Sequence, residues 1–140
     1  MTVCAPIRRV DGVEKVTGAA KFTGDLNFPD LLEAKVLRSP FPHAEVISID
    51  ASRAYALPGV VAILTRGDLG DIDPYYGNCL RDRAVVATDR VRFVGEPVAV
   101  VAAEDGMIAE AAVALIDVQY HELPVVTDID GALAEGAPLM

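Results

Sequence analysis

The sequence contains few residues of the kinds on which most chemical sites depend. Its 140 residues include two cysteines, two histidines and no tryptophan, and its 12 basic residues are outnumbered by 21 acidic ones, giving a net charge of −9. Such a chain, without a basic run, repels nucleic-acid phosphates and anionic lipid headgroups, so neither is expected as a partner. Cys4 and Cys79 lie far apart and outside any CxxC pair, which favours a reduced, cytoplasmic chain without a disulfide.

Longer functional signatures are also missing from the sequence. No apolar run approaches the roughly 20 residues needed to cross a bilayer, and the N-terminal residues lack the apolar centre of a secretory signal. The sequence has no GxGxxG, no GK[ST] and no G-x-S-x-G. It therefore lacks the fingerprints of dinucleotide-binding, P-loop and α/β-hydrolase sites.

The clearest pattern that the sequence does contain is a strand, a helix and a strand in residues 93–120. Val98–Ala103 is an unbroken, valine-rich run, typical of a strand buried on both faces. Apolar residues within Ile108–Leu115 then fall on one stripe of a helix, which Asp105 is placed to cap. Apolar and polar residues alternate from there to Tyr120. The order predicts a βαβ unit closed by a right-handed crossover.

Proline, glycine and short polar clusters divide the rest of the chain into short elements. Further strands are predicted at Ala19–Thr23, Leu32–Ser39, Ala44–Asp50, Val60–Thr65 and Val125–Thr127, helical turns at Ala51–Leu57 and Gly131–Glu135, a turn at Asn27–Asp30 and an exposed excursion at Arg66–Asn78. Residues 1–18 are predicted to be an irregular lead-in arm and 19–140 a single domain. The fold class is α+β, a mixed β-sheet with a βαβ unit and two or three helices. Because 52% of the residues are hydrophobic, we also expect apolar surface that docks on a neighbour or self-associates.

The histidines and the aspartates of the excursion are the first candidates for metal ligands. His43 follows two prolines, and His121 stands in an alternating strand with only acidic neighbours as possible second ligands. We expect a structural or interdomain contact from His43 and a solvent-facing position for His121. Asp68, Asp71 and Asp73 lack the spacing of a calcium loop and its final glutamate, so we expect a solvated loop.

Glu96 and a tyrosine pair are the other candidates. Glu96 stands between Gly95 and Pro97, directly before the buried run. There we expect a hydrogen-bonding residue at the start of the strand, and the alternative is a catalytic carboxylate. Tyr75 and Tyr76 lie on the excursion, where they would face a partner or simply solvent.

Four segments, in this order, carry a resemblance to a known family: RVDGVEKVTGAAKFTGD, SPFPHAEVISIDASRAYALPGVVAILTRGDL, VRFVGEPVAVVAAE and IDVQYHELPVV. Together they resemble the N-terminal α/β-hammerhead domain of molybdenum hydroxylase catalytic subunits, the xanthine dehydrogenase and aldehyde oxidase family. The resemblance runs from about Arg9 to Leu139 and implies an α/β-hammerhead fold. It also implies an oxidoreductase that, as a whole, uses a molybdenum–pterin cofactor, with [2Fe-2S] centres and often FAD on partner domains or subunits.

The resemblance assigns no catalytic, cofactor-binding or metal-binding residue to this chain, because in that family the residues around molybdenum lie in later domains. It implies a non-catalytic structural and interaction domain, inactive alone, of a molybdopterin-dependent large subunit. The implied partners are the cofactor-binding domains of the same subunit and an iron–sulfur subunit. Two alternatives stay open: a free-standing small-molecule binding or assembly domain on the same scaffold, and a self-sufficient enzyme that uses Glu96 or His43.

Overall fold

The computed structural model describes residues 7–138, which form two compact units divided between Leu31 and Leu32. The helices within these residues are α1 (Gly12–Thr17), α2 (Ser52–Tyr55), α3 (Gly106–Val113) and α4 (Ile129–Leu133). The strands are β1 (Glu33–Arg38), β2 (Ala44–Asp50), β3 (Val60–Leu64), β4 (Tyr75–Tyr76), β5 (Arg83–Ala84), β6 (Arg90–Val91), β7 (Pro97–Ala103) and β8 (Asp117–Glu122). This composition of short helices and strands is that of the predicted α+β class.

The first unit contains helical turns where the sequence predicted an irregular arm and a strand. The helix α1 ends at Gly18, whose left-handed backbone lets its N–H bond the carbonyl of Glu14. The prediction of a strand at Ala19–Thr23 is wrong, because Thr23 begins a single 3₁₀ turn. The carboxylate of Asp25 accepts the backbone N–H of Phe22 at 2.9 Å and thereby closes that turn locally. The domain boundary at residue 18 stays a prediction.

In the second unit, the strands form two three-stranded sheets and a small hairpin. The first sheet has the order β1-β7-β3, the second has the order β6-β2-β8, and β4 pairs with β5. Every pairing within the described residues is antiparallel. The strands β7 and β2 are therefore the central strands, and each has both edges hydrogen-bonded.

The valine-rich strand β7 is buried on both faces, as the sequence predicted. Ala99, Val101 and Ala103 are fully buried on the face that packs against α3. Val98 is fully buried in a second cluster with residues of β2 and β6. A single strand thus contributes to both hydrophobic clusters, which explains why its apolar run is continuous rather than alternating.

The helix α3 covers the first sheet with a stripe of small side chains. Asp105 caps it, since its carboxylate accepts the backbone N–H of Met107 at 2.6 Å. Ala109 and Ala112 are fully buried against the sheet. The predicted order of strand, helix and strand is confirmed.

The predicted right-handed crossover between parallel strands is wrong. After α3 the chain enters β8, which pairs with β2 in the second sheet instead of joining β7. The reason is that β1 and β3 already occupy both edges of β7, so no edge next to it is left for a parallel partner.

Two further predictions in this unit are corrected by the structure. The excursion at Arg66–Asn78 is exposed only in part, because Leu69 is buried and Arg66 donates hydrogen bonds to the carbonyls of Val46, Ile47 and Thr88. Residues 125–127 form no strand; Asp128 instead caps α4 through the N–H of Gly131. Across residues 7–138, no helix has the length and apolar composition needed to cross a membrane.

Candidate interaction site

A tight turn before β7 places Glu96, the carboxylate that the sequence singled out. Gly95 adopts a positive φ of 92°, which a residue with a side chain would reach only with strain. The backbone of Gly95 and Glu96 exchanges hydrogen bonds of 2.8 and 2.9 Å with Ser39, beyond the end of β1. The turn is therefore fixed from both sides before the chain enters the core.

Glu96 is 5% exposed, and its side chain is directed back into its own turn. Its carboxylate accepts the backbone N–H of Arg92 and lies 3.6 Å from the Arg92 guanidinium. That guanidinium also donates to the carbonyl of Arg90 at 3.0 Å and to Asp89 at 3.0 Å. A buried carboxylate is tolerated only with such partners, so the network accounts for Glu96 as a structural residue.

Asp89 completes this network at the surface. Burial alone would raise the pKa of its carboxyl, but hydrogen bonds from the backbone N–H of Arg90 and from the Arg92 guanidinium outweigh that effect. The result is a pKa lowered from 3.8 to about 2. The carbonyl of Asp89 meanwhile accepts the N–H of Val46 at 2.9 Å, so the same residue joins this loop to β2.

A cleft of about 630 Å³ lies beside Glu96, between the turn and the hairpin β4–β5. We call it the arginine cleft; it is lined by Arg38, Tyr76, Asp82, Arg83, Ala84, Arg92, Phe93, Glu96 and Pro97. The Arg92 guanidinium is paired with Glu96 and Asp89. Arg38 donates one hydrogen bond, of 2.8 Å, to the carbonyl of Gly95. The side chains of Arg83 and Asp82 are exposed and have no hydrogen-bond or ion-pair partner among the described residues.

A second cavity of about 380 Å³ continues from the arginine cleft around the hairpin and shares Tyr76, Asp82 and Arg83 with it. Its rim is the loop after β4, which turns tightly at Gly77: a Cβ there would lie 1.7 Å from the carbonyl oxygen of Leu80. Only glycine fits such an approach. The loop leaves Leu80 73% exposed.

The two histidines occupy the positions that the sequence predicted. His43 is 3% exposed, and its Nδ1 lies 2.8 Å from the carbonyl oxygen of Pro124, so Nδ1 carries the proton and donates. This is a structural contact between the start of β2 and the segment after β8. His121 lies exposed on β8, opposite Glu45 of β2.

Of the excursion aspartates, Asp68 and Asp73 make local contacts and Asp71 is exposed; the three do not converge. Asp68 accepts the hydroxyl and the backbone N–H of Thr65 at 2.8 and 2.7 Å, and these hydrogen bonds hold the pKa of Asp68 below its usual value. Asp73 accepts the N–H of Tyr75 and forms a 3.0 Å ion pair with Arg81. Within residues 7–138, no three His, Cys, Asp or Glu side chains form a group that would hold a metal ion.

Two of the three buried polar side chains are satisfied within the chain and offer no free donor to a molybdenum–pterin group. The buried polar residues of the described chain are Ser39, His43 and Glu96. Ser39 and Glu96 direct their polar atoms to nearby backbone or to Arg92, and Nδ1 of His43 contacts the carbonyl of Pro124, but Nε2 of His43 is buried without a hydrogen-bond partner among the described residues. Of these three residues, Glu96 lines the arginine cleft, and its carboxylate faces Arg92. Cys79 is exposed with a free thiol, while Cys4 lies outside the described residues.

The sequence alone did not identify the residues that make the cleft cationic and partly apolar. Arg38, Arg83 and Phe93 come from three separate parts of the chain, and their meeting depends on the pairing of β1 with β7 and of β4 with β5. The one available signal was local: arginines alternate with other residues at 81–83 and 90–92, in a chain that has few basic residues. Tyr76, which the sequence did name, lines the cleft, whereas Tyr75 is half-buried.

The fold is thus a small α+β module in which a helix covers an antiparallel sheet and an arginine-rich cleft opens at one end of the central strand. This chain belongs to the aldehyde oxidase and xanthine dehydrogenase family: residues 17–124 match the model described as "Aldehyde oxidase and xanthine dehydrogenase, a/b hammerhead domain". The family predicted from the four sequence segments is confirmed.

Similar proteins are much longer than this chain. A probable xanthine dehydrogenase subunit of Bacillus subtilis (strain 168) is 44% identical over 138 residues, which cover 98% of this chain and 18% of that protein. The nicotinate dehydrogenase large molybdopterin subunit of Eubacterium barkeri is 38% identical, over 93% of this chain and 30% of that protein. In the crystal structure of a Cu,Mo-CO dehydrogenase, one chain matches with a TM-score of 0.88 and 37% identity, over 95% of this chain and 17% of its own length.

Proposed function

We propose that this chain is a non-catalytic structural and interaction domain of a molybdopterin-dependent oxidoreductase large subunit. The observation that carries the proposal is the coverage: 98% of this chain aligns with 18% of a xanthine dehydrogenase subunit. Most of such a subunit is therefore other sequence, and we place the groups that bind cofactor and substrate in that part. The electrons would leave through [2Fe-2S] centres, and often FAD, on companion domains or subunits.

The contacts inside the chain support a bracing role. Glu96 and His43, the residues that a self-sufficient enzyme would use, are both buried and hold backbone segments together. A general base needs access to a substrate proton as well as a suitable pKa. The geometry around both residues favours a scaffold over an acid–base site.

The test is to express the 140 residues alone and, in parallel, the complete reading frame that contains them with its companion subunits. We expect the short protein to fold, to bind no stoichiometric molybdenum and to show no hydroxylase turnover, while the complete enzyme shows both. Molybdenum measured by mass spectrometry at one atom per short chain, or turnover by that chain, would falsify the proposal.

A second candidate is a free-standing small-molecule binding domain on the same scaffold. The arginine cleft favours it, because about 630 Å³ is enough for a small ligand and guanidinium groups bind carboxylates well. The two candidates differ in their coding sequence. A stop codon directly after Met140, with no adjacent gene for cofactor-binding sequence, would favour the free-standing protein.

A further inference from the structure

The arginine cleft is a local cationic site on an acidic chain. Outside the Glu96, Arg92 and Asp89 network, it presents the guanidinium groups of Arg38 and Arg83 against one carboxylate, that of Asp82. The whole chain has a net charge of −9. An anionic group is therefore attracted to this cleft and repelled by most of the remaining surface.

Exposed apolar side chains surround the same cleft. Phe93 is 56% exposed and Tyr76 is 53% exposed, and both line the cleft. Leu80, which is 73% exposed and lines the adjoining cavity, continues this apolar surface along the hairpin loop. Aromatic residues and arginine together are the residues most enriched at the centres of protein interfaces.

The extent of the apolar surface argues for a polypeptide rather than a free small acid. A small carboxylate would contact the guanidinium groups of the cleft and leave Leu80 in water. A peptide segment with an acidic residue beside apolar ones would cover both parts. Its carboxylate would accept bidentate hydrogen bonds from a guanidinium, and its apolar neighbours would lie on Phe93 and Tyr76.

We propose that the arginine cleft and the adjoining residue Leu80 form the docking surface for an acidic, apolar segment of a companion subunit of the same enzyme. This inference rests on the proposed function, since it requires that companion subunits exist. It adds to that function the surface that is used and the chemistry that recognises the partner.

The test uses the complete large subunit with its companion subunits, purified separately and mixed. Arg83→Glu is the principal variant, because the exposed Arg83 side chain has no partner within residues 7–138 that its loss would disturb. Arg53→Glu makes the same charge change at an exposed position on α2, away from the cleft, and is the matched control. The dissociation constant is measured at low and at high salt by sedimentation or surface binding.

We expect Arg83→Glu to weaken assembly at least tenfold at low salt and to flatten its salt dependence, while Arg53→Glu stays within about twofold of the wild type. Phe93→Ala, which leaves all charges in place, should weaken assembly by a similar factor with the salt dependence retained. Unchanged assembly of both Arg83→Glu and Phe93→Ala would overturn the inference.

Two other outcomes would also overturn it and identify the true occupant. If assembly is normal but Arg83→Glu abolishes binding of benzoate to the large subunit, the cleft is a site for a free carboxylate. If assembly is normal but the variant is cleaved faster by protease between its domains, the occupant belongs to the same subunit. A wild-type large subunit that has neither molybdenum nor companions would instead contradict the proposed function, whatever the variants do.

Discussion

The two ends of β7 have opposite surroundings. Towards its C-terminal end, Ala99, Val101 and Ala103 are fully buried beneath α3. At its N-terminal end, the strand begins in a charged network, and beyond it Phe93 lies 56% exposed at the arginine cleft. The same strand is therefore closed by the chain itself at one end and left accessible at the other. The difference separates the part that stabilises the domain from the part that is available to a partner.

The closed end is built from unusually small side chains. The largest fully buried residues of the described chain are valines, and α3 contributes Ala109 and Ala112 to the contact. Small residues allow a helix and a sheet to approach closely, but each one buries little area, so the packing depends on many exact fits. We expect changes at this end to alter stability, and changes at the open end to alter assembly.

The largest effect on stability is expected from Val101→Ala, because Val101 is fully buried at the centre of β7. Loss of two methyl-sized groups and the cavity left behind should lower the free energy of unfolding by about 2–3 kcal/mol. Val61→Ala on β3, where the side chain is 54% exposed, is the matched control and should stay within about 0.5 kcal/mol. Urea unfolding of both variants measures this. Equal losses at the two positions would show that the closed end is not the stabilising core.

The next effect concerns the network at the entry to β7. Glu96→Gln keeps the shape of the side chain but removes the charge that faces Arg92, and we expect a loss of about 2 kcal/mol in the free energy of unfolding. Glu110→Gln, at an exposed position on α3, should be near neutral. If Glu96→Gln is as stable as the wild type and instead changes turnover in the complete enzyme, Glu96 belongs to a chemical site and not to the scaffold.

The sequence predicted well the elements whose pattern is continuous and local. The valine-rich run became β7, Asp105 does cap α3, and the strand at Ala44–Asp50 has those bounds in the structure. Such features depend on the burial of one short segment and on hydrogen bonds between near neighbours. They can be predicted without knowledge of the neighbours in space.

The sequence could not predict which strands pair or which side chains meet. The crossover prediction failed because the edges of β7 are filled by β1 and β3, which lie far from it in sequence. The arginine cleft was missed for the same reason: Arg38 and Arg83 are brought together by pairings between distant strands. A short strand ended by Gly24 and Asp25 was also predicted at Ala19–Thr23, where the local hydrogen bond to Asp25 favours a turn.

A smaller effect is expected from the cap of α3. Asp105→Ala removes the acceptor for the N–H of Met107 and should cost about 1 kcal/mol, whereas Asp105→Asn keeps an acceptor at that position and should cost much less. Hydrogen exchange of the first turn of α3 gives a local readout beside the global unfolding curve. A loss as large for Asn as for Ala would mean that the charge, through the helix dipole, matters more than the hydrogen bond.

The smallest effect, and the one most specific to the open end, is the pH dependence caused by Asp89. Its pKa is lowered from 3.8 to about 2 in the folded chain, so its ionised form stabilises the fold above about pH 4, and that contribution is lost as the pH falls from about 4 to 2. Asp89→Asn should therefore be less stable than the wild type at pH 7, with a difference that shrinks over this range. The loss will be modest because the Asp89 side chain is 56% exposed and salt screens its ion pairs. Asp71→Asn, at an exposed carboxylate, provides the control in the same urea titrations. A difference between Asp89→Asn and the wild type that stays constant from pH 7 to pH 2 would show that Asp89 acts through shape alone, and that the network before β7 is not held by charge.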